Sequence, residues 1–335
     1  MVMAMNSFER FKTRLQGGAV DRPPNHCIIM GFGARLMGAS YREFVSDYKV
    51  LTDAGIRCAE EFGIDVLSAI SDPMREAEGL GAVVEYPEDG VPFSPVPLIT
   101  DLSDLSALSV KDPASCRRMN DRLMAVRRFS EYSKGEFPVQ GWVEGAFAEA
   151  CDLRDLNNMM MDIALEPEAA LELLEIATAQ SIAFAQAQIA AGAHIVGIGD
   201  AAASLIGPTM YSEFALPFEI RIIQAIHDAG GLAKLHICGD ISPLLDILPQ
   251  TGADIIDCDW MVDFEKAGKV FAPKISACGN FDPVAVLLEA TPSEIETAVK
   301  QCVAVGAANS IIAAGCEVPP FTPPENLLAV AKALA

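Results

Sequence analysis

HIVGIGD (194–200), LAKLHICG (232–239), ADIIDCD (253–259) and KISACGN (274–280) are the stretches that decide the fold. Each is a short apolar run, and each ends on polar side chains: Asp200, then His236 with Cys238, then Asp257 with Asp259, then Asn280. Amphipathic stretches at 166–190, 209–228 and 291–305 lie before, between and after them, and strands alternating with helices read as a parallel sheet. FPVQGWV (137–143) precedes these runs and NSIIAAGC (309–316) follows them. HCIIMGF (26–32) and IDVLSAI (64–70) bring the strand count to eight. The alternation and the count predict an α/β fold, a single (β/α)8 barrel domain over residues 1–335, with a doubly wound sheet as the other topology. A short N-terminal helix is read as an extension, GAVVEYPEDG (81–90) as a hairpin arm, and the four-proline stretch 92–113 as a surface excursion.

Barrel active sites form at the C-terminal ends of the strands. The polar strand-end residues Asp72, Glu144, Asp200, His236, Cys238, Asp257, Asp259, Asn280, Cys316 and Glu317 should therefore meet on one rim, although they are far apart in sequence.

The composition narrows the partners. Forty-six acidic residues against 24 basic ones give a formal charge of −22, which repels nucleic-acid phosphates and anionic lipid. MVMAMNSFERFKTRLQGG (1–18) lacks the apolar core of a signal peptide, and no run reaches the length of a membrane span, so a cytoplasmic chain is expected. Whether it forms a homo-oligomer is left open. Nine cysteines, an odd number in a long chain, are expected to be reduced thiols, most of them small buried packing residues. His26, His194 and His227 are read as structural or surface histidines. Gly31-Phe32-Gly33 and Gly197-Ile198-Gly199 do not complete a dinucleotide fingerprint, which excludes NAD.

His236-Ile237-Cys238 is an H-x-C pair, and the two-residue repeat of a strand points both side chains to one side. With Cys316 at the last strand's end, one imidazole and two thiolates make a nitrogen–sulfur set suited to zinc, with a fourth position left for exchange. Taken alone, the pair reads first as a chance juxtaposition of buried residues, because free cysteine is among the most buried residue types.

KLHICGDISPLLDILPQTGADIIDCDW (234–260), GNFDPV (279–284) and AGCEVPPFTPPENL (314–327) resemble the methylcobalamin:coenzyme M methyltransferase branch of the uroporphyrinogen decarboxylase superfamily. The similarity extends to ISDPMREA (70–77), GWVEGAFAEA (141–150) and AGAHIVGIGDAAASLIGP (191–208). The resemblance implies zinc bound by His236, Cys238 and Cys316, with Asp259 near where a carboxylate completes the resting shell. It implies a methyl donor, methylcobalamin or a protein-bound methylcorrinoid, and a thiol or tetrahydrofolate as small-molecule acceptor. Asp72 and Asp200 are candidate catalytic residues, and Glu144 and Asn280 candidate cofactor-binding residues; Asp72 can equally organise the Ser-Asp-Pro turn. No D-x-H-x-x-G corrinoid signature is present, so a separate corrinoid protein is the implied partner. Two other readings stay open. The decarboxylase itself departs from this chain at Gly31, where its first arginine would stand, and at Cys316, where it would carry a histidine. A non-catalytic tetrapyrrole or corrinoid carrier is the third.

Overall fold

The computed structural model describes residues 4–335. Its sheet has seven strands, β1 (Leu67–Ser68), β2 (Val139–Glu144), β3 (Ile195–Gly199), β4 (Leu232–His236), β5 (Ile255–Asp257), β6 (Ser276–Phe281) and β7 (Ile311–Ala314). They pair in sequence order and all in parallel, the arrangement that helical crossovers impose. The eighth place is taken by the segment from Pro24 to Ile28. His26 N–H donates to the Ile312 carbonyl (2.9 Å) and Ile312 N–H to that of Pro24 (3.1 Å), while Asp65 N–H donates to Asn25 (2.8 Å) on the other side. The segment thus joins β7 to the approach of β1.

The sequence reading placed a strand over 26–32 and another over 64–70; the structure shortens both. The first makes only isolated bridges, at Asn25 and Ile28, and Pro23 and Pro24 supply no N–H to extend the pairing backwards. At Gly31 the chain already turns into the helix Gly31–Leu36, the Gly31 N–H being taken by Glu317 Oε1 at 2.8 Å. The run 64–70 keeps two ladder residues. The helical stretch 209–228 divides into Gly207–Phe214 and Leu216–Asp228, with Pro208 and Pro217 in their first turns, where a missing N–H is tolerated. The arm at 81–90 survives as one antiparallel bridge, Glu85 with Phe93.

Every residue of β2, β3, β5 and β7 is buried, as expected of strands covered by helices outside and by one another inside. Phe147, Phe184, Phe129 and Phe214 lie in the helix–sheet layer at no more than 1% exposure, each contributing about 1.5–3 kcal/mol by removal from water. The barrel interior is more polar. Lys234, Asp257, Gln140 and His26 all lie there, buried. The helix Ser7–Leu15 is tied on by Arg10, which pairs with Asp21 (2.8 Å) and with the buried Asp65 (2.7 Å). No described helix is long and apolar enough to cross a membrane.

Candidate metal centre

β4 runs Leu232-Ala233-Lys234-Leu235-His236, and its two-residue repeat turns Lys234, His236 and then Cys238 to the inside. His236 Nε2 lies 3.1 Å from Cys238 Sγ. Cys316 arrives at the end of β7 beside them, and one ligand atom from each of the three residues lies within 4.8 Å of the other two. A tetrahedral zinc with bonds of about 2.0–2.3 Å has ligand–ligand edges of roughly 3.5–3.8 Å, so the trio closes around such an ion with small side-chain rotations. The close approach depends on Gly315: a Cβ there would lie 2.5 Å from Trp260 N and 2.6 Å from Asp259 Oδ1. A larger residue would push the end of β7, and Cys316 with it, away from the loop after β5.

β5 supplies the orienting group. Asp257 Oδ2 meets His236 Nδ1 at 2.8 Å and Lys234 Nζ at 3.0 Å. With Nδ1–H donated to the carboxylate, the Nε2 lone pair faces the two sulfurs, the tautomer a metal ligand requires. Burial alone would raise Asp257, but the Lys234 ammonium and His236 outweigh it and hold the carboxyl well below the usual range. Burial likewise opposes the charge on His236, yet Cys238, Asp257 and Cys316 raise it well above its ordinary value. The two thiols lie close enough to oppose each other's ionisation. The neighbouring Cys238 and His236 hold Cys316 well below an ordinary thiol despite its burial, while Cys316 and burial push Cys238 up. In the metal-free chain, protons thus hold the place of a cation, and metal binding should release them.

A cavity of about 240 Å³ lies over the trio, walled by Ile28, Met30, Ile70 and Trp142 and by the carboxylates of Asp72, Glu144 and Glu317. It adjoins a cleft of about 550 Å³, with which it shares Pro73, Glu144 and Ala201. Trp142 lies across β3, where a Cβ on Gly197 would come within 2.2 Å of its ring, and its centroid is 5.9 Å from that of His236. The glycines of Gly197-Ile198-Gly199 therefore make room for an indole. The 92–113 excursion is more than surface covering, because Phe93, Ser94, Pro95 and Pro97 wall the larger cleft.

The other candidates divide. Asp72 and Glu144 line the cavity, but each is already engaged. Asp72 pairs with Arg118 and accepts from Ser71 Oγ (2.7 Å) and Met74 N–H (3.1 Å). Burial works against its charge, but Arg118 and Arg75 hold it below its ordinary value, so it stands as a carboxylate and not as an acid. Glu144 pairs with Arg75 at 2.6 Å; burial nonetheless raises it well above the usual range. Asp259 does not join the trio: its oxygens accept from Gly239 N–H (2.9 Å) and Trp260 N–H (2.7 Å), tying the loop after β5 to the turn after Cys238. Asn280 is spent on the same loop, donating to the Val262 carbonyl at 2.7 Å and to that of Asp259 at 3.3 Å. Asp200 is fully buried and lines neither cavity. It accepts from Ala148 N–H (2.8 Å), and burial raises it to about 7 next to Glu219.

Sequence reasoning missed Lys234 and the part played by Asp257. A lysine inside an otherwise apolar strand, two residues before His236, was the available signal. Glu317 was seen only as a rim residue; it accepts from Gly31 N–H, and burial raises its carboxyl to about 7. His194 accepts from Val139 N–H (3.1 Å) and His227 pairs with Asp254 (2.9 Å), both away from the trio.

The uroporphyrinogen decarboxylase (URO-D) family model matches residues 6–335. The chain belongs to the uroporphyrinogen decarboxylase family. Within it, the chain is 30% identical over 332 residues to the methylcobamide:CoM methyltransferase MtbA of Methanosarcina mazei, covering 95% of this chain and 94% of that one. It is 26% identical over 302 residues to a uroporphyrinogen decarboxylase of a Roseiflexus species, covering 87% and 86%. Among solved structures, a methyltransferase from Methanosarcina mazei superposes with a TM-score of 0.90 at 22% identity, over 98% of both chains. That match bears out the family's barrel as the fold.

Proposed function

We propose that this family member is a zinc-dependent methyltransferase that moves CH3 from a methylated corrinoid, carried by a separate protein, to a thiol. The observation that carries the reading is the trio His236, Cys238 and Cys316, closed at one strand-end rim with its imidazole oriented by Asp257. Two soft sulfurs and one nitrogen suit zinc, and three protein ligands leave a place for an exchangeable fourth. Zinc held there would keep a coordinated acceptor thiol deprotonated near neutral pH. Asp257 fixes the His236 tautomer, and Lys234 keeps Asp257 ionised. Trp142, Ile28 and Ile70 line the space above the sulfurs with apolar surface that excludes water. In the transfer the carbon–sulfur bond forms as the cobalt–carbon bond breaks, and the electron pair of the latter stays on cobalt.

The similarity to MtbA supports this reading, while the Roseiflexus relative keeps decarboxylation as its rival. Two features favour methyl transfer. Decarboxylation leaves a built nitrogen–sulfur trio without use, and the Asp72 carboxylate is already occupied by Arg118 and Ser71. A tetrahydrofolate amine needs protonation control more than a soft metal, so the donor set favours a thiol. Protein purified without chelators should hold about one zinc per chain, and should demethylate methylcobalamin only when a thiol is supplied. Full thiol methylation by metal-free protein would sink the zinc assignment; turnover of uroporphyrinogen, or corrinoid binding without any methyl transfer, would sink the function.

A further inference from the structure

The acceptor itself can be narrowed, on the strength of the methyltransferase reading above. A thiol bound at the trio must lay the rest of its skeleton in the 240 Å³ cavity, or through it in the 550 Å³ cleft. The smaller space is below the usual size of a pocket for a drug-sized ligand, about 300–1,000 Å³, so it suits a small acceptor. Neither wall contains a lysine or an arginine. The ionisable groups facing the cavity besides the trio are Asp72, Glu144 and Glu317, and the cleft adds Asp152 and Asp155, all of them carboxyls. The nearest guanidinium groups, Arg75 and Arg118, stand behind Glu144 and Asp72 at 0% and 1% exposure and are already paired, Arg75 with Glu76 and Glu144 and Arg118 with Asp72. Lys234 lies below His236, fully buried and paired with Asp257.

One cation stands nearby. Arg35 lines a smaller cavity of about 150 Å³ on the far side of Glu317, stacked 4.0 Å over the Phe321 ring, but Asp89 and Glu317 share that space. An anionic group reaching it would pass Glu317. Burying an anion without a cationic partner is costly, and sulfonate or carboxylate sites are built on arginine forks for that reason. The remaining wall, Ile28, Met30, Ile70 and Trp142, suits a short apolar skeleton.

We propose that the acceptor is a small thiol whose remaining groups are uncharged or cationic, and that the site discriminates against thiols bearing a sulfonate or carboxylate. Binding can be read without turnover in the full-length chain loaded with cobalt(II), where a coordinating thiolate gives a charge-transfer band. Three thiols of one skeleton serve as probes: 2-mercaptoethanol, 2-aminoethanethiol and 2-mercaptoethanesulfonate. The sulfonate should bind about tenfold or more weakly than the alcohol, the order expected from placing an anion in a partly dry site that offers it no cationic partner. The aminothiol should bind at least as well as the alcohol, and kcat/KM for methyl transfer from methylcobalamin should follow the same order. Equal or tighter binding of the sulfonate overturns the inference but leaves the methyltransferase reading standing; loss of that preference in Arg35→Ala would name Arg35 as the anion's partner. If none of the three thiols reaches the cobalt or accepts a methyl group, the thiol reading fails and this inference with it.

Discussion

Replacing Asp257 by Asn keeps the size and shape of the side chain but removes its charge, and two effects should follow from two separate contacts. The first is on metal. Asp257 Oδ2 lies 2.8 Å from His236 Nδ1, and loss of such a partner behind a metal-binding histidine typically costs about 10–100-fold in affinity. The second is on folding. Lys234 Nζ is 3.0 Å from the same carboxylate, fully buried, and has no other partner. An ammonium stranded there should cost about 3–5 kcal/mol, the usual consequence of removing one member of a buried pair. A second change separates them. Adding Lys234→Met to Asp257→Asn removes the stranded charge, so the double variant should recover most of the lost stability while zinc affinity stays low. Urea unfolding of metal-free protein reads the stability, and competition for zinc against a chromophoric chelator reads the metal affinity. If Asp257→Asn binds zinc as tightly as the parent, the orienting role of the carboxylate is refuted. If the double variant is no more stable than the single one, the account of Lys234 fails.

Cys316→Ser exchanges a soft thiolate for a hydroxyl that stays protonated, and zinc affinity should fall by more than about 100-fold, beyond the range seen for outer partners. The control is Cys258→Ser, whose sulfur is buried in the core and donates to Ile256 O, and which should keep its zinc; equal metal content in the two variants would remove Cys316 from the site. Asp200 is raised by burial from 3.8 to about 7, so the native chain holds a proton the unfolded chain releases, and stability should fall as pH rises through that interval. Asp200→Asn cannot ionise and should gain on the parent between pH 4 and 7 in urea midpoints; parallel pH profiles for the two would show that the group does not carry this linkage.

Asp257 and Asp259 show how far the sequence reaches into the site. Their spacing places both on the inner side of one strand and cannot say which of them meets His236. The register of β4 on β5, Lys234 with Ile255 and Leu235 with Ile256, brings Asp257 level with His236. Asp259, two residues higher, meets the turn at Gly239 instead. Asn280 and Asp200 sit at strand ends as the pattern demands, yet one faces a loop backbone and the other a buried glutamate, because a strand-end position does not specify whether a side chain looks into the mouth or under a neighbouring loop. The alternation of apolar runs with amphipathic stretches was enough for the barrel, since strand and helix periods are local properties of the chain. The H-x-C pair was legible for the same reason, as two residues along a strand share a face whatever the fold around them. Cys316 was different: 78 residues separate it from Cys238, and only closure of the barrel, with Gly315 letting β7 press against Trp260, brings its sulfur to His236 and Cys238. The lack of cations on the cavity walls is likewise a property of the tertiary structure, because Arg75 and Arg118 are plain in the sequence and are turned away from the cavity, paired with Glu144 and Asp72, only when packing sets them behind the wall.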